Sequence, residues 1–229
     1  MTLINAGLIA LVSDILMPIT LVTIWLVVAR DQPKQTTKLW AGLVLIGAAT
    51  LAAATAWYPP LAAIRLEPAP GAQVAVVPFL AFGLPSILLS LPATRPFLAR
   101  IDPLSAARIG IWRAVYGSVL LAMGLAGGLP EGFYRSVATG DIAVGLWALW
   151  IVTRSNRVSD HHLLAWNVAG LIDLLHVIPL AITILRPFII ANPDVPTLNL
   201  LPLAGVPLFI ALHIVTIRNL AISERVVPA

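Results

Sequence analysis

Seven stretches of nearly unbroken apolar residues follow one another along the chain, near 3–29, 39–58, 73–92, 109–129, 137–153, 163–185 and 198–217. A helix needs about 20 mostly apolar residues to cross a hydrocarbon core of roughly 30 Å. Runs this long satisfy their backbone polar groups in lipid only as helices. The pattern therefore predicts an all-α integral membrane bundle of seven transmembrane helices, forming a single domain over 1–229. The run at 137–153 is the shortest and carries Asp141 inside its end. The first run lacks a basic leader, continues to Ala29 and contains Asp14 and Pro18, so it reads as a helix of the mature protein and not as a signal peptide. Pro78, Pro85 and Pro92 recur every seven residues along the third run and predict a kinked helix.

The polar positions between the runs give an orientation. Arg30, Lys34, Lys38, Arg95, Arg100, Arg108, Arg154, Arg157, Arg218 and Arg225 fall in the odd-numbered loops and the tail. The even-numbered loops hold only Arg65, Arg135 and Arg186. Basic residues stay on the cytoplasmic side, so this alternation predicts an N-terminus outside and a C-terminus in the cytoplasm of an inner membrane. Trp40, Trp57, Trp112, Trp150 and Trp166 stand near run ends, where an aromatic belt would lie.

Composition agrees with a lipid-covered surface. Of the 229 residues, 59% are hydrophobic and 10% charged, and the mean hydropathy is +0.96; a soluble domain carries about 25% charged residues. The basic balance, +4 with a pI near 10.1, sits in short loops and reads as topology, not as a nucleic-acid surface. The absence of cysteine excludes disulfides, thiolate metal sites and cysteine nucleophiles. Both lysines, Lys34 and Lys38, lie in the first loop, so a retinal Schiff base is excluded. A HExxH zinc motif is also missing.

Ionisable residues deep in apolar runs are the informative ones, because a charge in lipid is expensive. Asp14, Asp173 and His176 fall within roughly 5 Å of one depth at 1.5 Å of rise per residue, and the last two share a helix face. They form the candidate ligand, ion or proton site, with the Asp14 carboxylate expected within about 8 Å of Asp173 or His176. Arg113, Asn167 and His213 mark a second, inner polar layer, in which Arg113 either snorkels to the headgroups or forms an ion pair. Glu131 and Asp141 mark an outer mouth, with Asp141 also suited to a helix N-terminus. No metal-ligand set is assigned. The leading expectation is a membrane protein handling a small solute, ion or proton, as transporter or sensor. A membrane-embedded metal-dependent enzyme and a non-catalytic partner subunit are the alternatives, and the residues favour a role other than catalysis.

Several short matches point to a family. Trp112-Arg113, Gly128-Leu129-Pro130, Thr139-Gly140-Asp141 with Gly145, Trp166-Asn167 with Gly170-Leu171 and Asp173, and Val206-Pro207-Leu208 followed by Leu212-His213 resemble an uncharacterised bacterial family of multi-pass membrane proteins. The resemblance covers the C-terminal half and implies no activity. Similar sequences place an acidic residue shortly after the Trp-Arg pair, where Tyr116 and Gly117 stand here, which removes an intrahelical partner for Arg113. A looser likeness is to seven-helix receptor and ceramidase-like zinc hydrolases, but their early-helix histidine and closing His-x-x-x-His are absent.

Overall fold

The computed structural model describes residues 98–192 and 205–226, together with Leu16, Ile19, Thr20, Thr23, Leu26, Val27 and Pro92. These residues are overwhelmingly helical. Helix α1 spans Pro103–Gly110, α2 Trp112–Leu125, α3 Glu131–Thr153 and α4 Asp160–Leu180. A π-helical turn, Ala181–Leu185, joins α4 to α5, Arg186–Ala191, and α6 spans Val206–Val226.

Local chemistry sets the boundaries. The Asp102 side chain accepts from the Ser105 N–H at 2.9 Å, and Pro103 occupies the first turn of α1 with its preset φ. Helix α2 ends where Gly127 takes φ +83° and the Gly128 N–H reaches back to Met123 O at 2.9 Å. That closure satisfies carbonyls the last turn would otherwise strand. Pro130 and Glu131 then start α3 with a carboxylate at the positive end of the helix. Pro179, inside α4, lacks the N–H that would continue the ladder, and the π turn follows directly.

The seven-span bundle is not what the structure shows. Among the described residues two helices are long and apolar enough to cross a membrane, Glu131–Thr153 and the continuous Asp160–Ala191. The run at 109–129 is divided at Ile111, where Ala114 N–H bonds Ile111 O in a tighter turn. The 14 residues of α2 then reach only about 21 Å, short of a bilayer core. Of the run at 198–217, the residues from Val206 onward lie on α6, while 198–204 lie outside the described residues; Val206–Ile222 is not one of the two helices that meet the length of a span. Hydropathy counts apolar residues but does not register where helices break, as at Ile111. The orientation read from the loops falls with the count. Arg135, read as a loop residue, lies on α3. The runs at 3–29, 39–58 and 73–92 lie almost wholly outside the described residues.

The helices pack in layers that leave room for polar groups between them. At one end the C-terminal parts of α1, α3 and α6 meet the start of α4 through Ala107, Ala148, Ile151, Leu163, Trp166 and Leu220. At the other end α2 and α3 meet α4 and the π turn through Met123, Phe133, Tyr134 and Val177. Helices α2 and α3 come close because their contact line is small. A Cβ at Gly145 would lie 2.2 Å from Ala114 N, and one at Gly117 would lie 2.8 Å from Ala138 O. Small residues let helix backbones approach in this way. From the first apolar run, Leu16 packs on a third buried group that includes Ile109, Tyr116, Leu174 and Phe209, and the Thr20 and Tyr116 hydroxyls meet at 2.6 Å.

A buried charge cluster as candidate functional site

Arg113 sits in the first turn of α2 and is 1% exposed. A guanidinium carries five N–H donors and no acceptor, so burial obliges it to find acceptors in several directions. Neighbouring helices supply them. Nε donates to Asp141 Oδ1 at 2.8 Å, and Nη2 lies 2.7 Å from the same oxygen. Nη2 also donates to Asp173 Oδ2, and Nη1 donates to Gly170 O at 3.0 Å. Nη1 further faces His213 Nε2 at 3.5 Å, the outer limit of a hydrogen bond. Helices α3, α4 and α6 thus converge on one side chain of α2.

A chain of hydrogen bonds places one ring proton of the histidine. Asn167 Nδ2 donates to Leu163 O at 2.7 Å, a carbonyl that can only accept. Its Oδ1 therefore faces His213 Nδ1, 2.9 Å away, and accepts from it. With the proton on Nδ1, neutral His213 presents the lone pair of Nε2 to Arg113. The Trp166 ring stands edge-on to His213 at 5.0 Å and is itself held by its Nε1 bond to Val144 O at 3.0 Å.

Two glycines shape the cluster; the sequence reading met both within the family resemblance and assigned neither to a site. A Cβ on Gly140 would fall 1.8 Å from Asp173 Oδ1, so only a glycine on α3 leaves that carboxylate its position. A Cβ on Gly170 would fall 2.5 Å from the His213 ring and 3.1 Å from Arg113 Nη1. Their signal in the sequence was adjacency: Gly140 precedes Asp141, and Gly170 lies three residues before Asp173 on the same face of α4.

The expected groupings rearrange accordingly. Asp173, assigned to the central site, and Asp141, assigned to an outer mouth, both bind Arg113 of the supposed inner layer. Asn167 and His213 remain with Arg113. Asp141 is 8% exposed and well inside α3, not at a helix start, because α3 begins at Glu131. Arg113 does not snorkel. Glu131 is exposed and pairs with Arg135 at 2.8 Å along the outside of α3, so it forms no mouth with Asp141. His176 is exposed, faces Ser136 Oγ at 3.2 Å and lies within electrostatic reach of Asp173. Asp14 lies outside the described residues, and so does its expected approach to Asp173. Among the described residues, no group of three or more His, Asp or Glu side chains is placed to hold a metal.

A cavity of about 80 Å³ leads away from the cluster between α2, α3, α4 and α6. Arg113 and Asp141 line its polar end, and Leu129, Phe133, Val177 and Leu185 line its apolar course toward the α2–α3 turn.

A family model described as a domain of unknown function, DUF8737, matches residues 80–221, well over half of the chain and the whole of this cluster. No curated protein and no solved structure matches.

Proposed function

The chain belongs to the DUF8737 family, and we propose that it is a membrane protein whose buried charge cluster takes up a proton or a small monovalent cation. The observation that carries the reading is a charge count. Arg113 contributes one permanent positive charge, and the two carboxylates on it, Asp141 and Asp173, contribute two negative ones. His213, with Nδ1 donating to Asn167 and Nε2 turned toward the N–H donors of Arg113, is taken as neutral, since a second ring N–H would point at a cation. The cluster is left one negative charge in excess among apolar packing layers, where uncompensated charge is strongly unfavourable. Neutrality returns when one carboxyl binds a proton, or when a cation joins the site. The cavity supports the reading, because Asp141 and Arg113 both line it and an incoming ion has space beside them.

The membrane setting is supported by α3 and the α4–α5 helix, which meet the length and composition of spans. Leu146, Leu149, Val168, Ile172 and Leu175 stand exposed on these helices, a surface suited to lipid. A multi-pass location in a cytoplasmic membrane fits this surface. Proton or cation uptake could serve transport or sensing, and both use the same centre.

A second reading, in which the cluster only fastens helices together, draws on the satisfaction of every Arg113 donor. Infrared difference spectra across a pH titration separate the two. Proton handling predicts a protonated-carboxyl band that changes with pH and is lost or shifted in Asp141→Asn or Asp173→Asn. A spectrum without any carboxyl band from these residues, at every pH and with no response to Na⁺ or K⁺, would sink the proposal.

A further inference from the structure

We infer that the cavity beside Arg113 and Asp141 is a binding site for a small lipophilic amine, held as its ammonium ion with its apolar part along Phe133, Leu129 and Leu185. The inference rests on the charge-excess reading above and goes further, by naming the class of ligand.

Three observations converge on it. The first is the free oxygen. Arg113 engages Asp141 through Oδ1 alone, and Oδ2 has no partner among the described residues. Nor is that oxygen sealed off: among the described residues, the side-chain polar atom that is both sealed and unbonded is Arg186 Nε. Asp141 lines the cavity, and its unbonded oxygen is assigned as the acceptor for a ligand there. The second observation is the shape and lining. Beyond the Arg113–Asp141 end the walls are aliphatic and aromatic, so the site is amphipathic in the way ligand pockets are, with few polar groups fixing one end of an apolar molecule. A volume of about 80 Å³ admits several waters or the head and first carbons of a small amphiphile.

The third observation is the sign of the charge. An ammonium ion brings Arg113, Asp141, Asp173 and ligand to neutrality and supplies N–H donors for Asp141 Oδ2. A carboxylate would raise the excess to two negative charges and would find every Arg113 nitrogen already engaged. An alcohol of equal size could fill the apolar course but would leave the excess charge unbalanced.

The test uses purified full-length protein in detergent, with thermal unfolding read against n-butylamine, n-butanol and sodium butyrate. Butylammonium is expected to raise Tm in a saturable, dose-dependent way, with butanol and butyrate at least about tenfold weaker. Its effect should fall as the pH is lowered, because a proton and the ammonium ion compete for one excess charge. Asp141→Asn should abolish the shift, while Gly132→Ala, outside the site, should retain it. The pH competition is measured on the wild-type chain and stands even where Asp141→Asn does not fold. Equal stabilisation by butanol, stronger stabilisation by butyrate, or no saturable effect of butylamine each overturns the amine site. If the infrared carboxyl band is present all the same, the proton reading survives that failure; if it is absent as well, both fall.

Discussion

Arg113 decides more about this molecule than any other side chain. Removing it leaves two buried carboxylates without their counter-charge, and an unpaired buried charge costs about 3–5 kcal/mol. Arg113→Leu is therefore expected to lower stability by that order, and adding Asp141→Asn and Asp173→Asn to it should recover much of the loss. Chemical denaturation of the single and triple variants checks this; a triple variant no better than the single one would show that packing, not charge, is at stake. Gly140→Ala tests the geometry from the other side. Its Cβ would fall on Asp173 Oδ1, and overpacking of this kind costs roughly 1–3 kcal/mol. Gly132→Ala is the matched control: the added Cβ meets only Ile184 Cδ1 at 3.6 Å, so helix propensity should make it neutral or stabilising by up to about 1 kcal/mol. For His213, nitrogen NMR of labelled imidazole should report the Nδ1–H tautomer, and Asn167→Leu should release it to a tautomer mixture.

At the scale of elements, the α2–α3 hairpin sets the distance between Arg113 and Asp141. Two glycines there work by different physics. Gly127 has φ +83° and open space around its missing Cβ. Gly127→Ala is thus a pure backbone penalty of about 1–2 kcal/mol, the cost of a left-handed residue. Gly124 is an ordinary helical residue, but a Cβ there would lie 2.1 Å from the buried Tyr134 ring. Gly124→Ala should therefore be the more harmful of the two, through steric displacement of α3. Unfolding curves that rank them the other way would mean that the hairpin tolerates separation of its helices. The turn itself was legible: Gly127-Gly128-Leu129-Pro130 announces a tight connection. Where α3 begins was not, because Phe133 and Tyr134 precede the run that hydropathy picked out, and Asp141 then looked like a helix start.

For the whole molecule, the apolar outer faces of α3 and α4 make a prediction independent of the site. The expressed chain should remain in the membrane pellet after alkaline carbonate extraction, and release into the supernatant would remove the membrane setting. The sequence by itself determined helicity, the apolar character of the two long helices and the set of residues worth watching: Arg113, Asp141, Asn167, Asp173 and His213 all stood out as polar groups in apolar runs. It determined these because burial of charge is unfavourable wherever it occurs, so a deep ionisable residue is informative before any fold is known. Only the tertiary structure decided that these five form one cluster, that Glu131 stands apart from it on the outside of α3, and that the apolar run at 109–129 is divided between α1 and α2. Depth along a helix can be counted from residue numbers. Which helix faces which, and whether an apolar run stays unbroken, depends on close packing at Gly145 and Gly140 and on the turn at Ile111, contacts between residues far apart in the chain or breaks that hydropathy does not register.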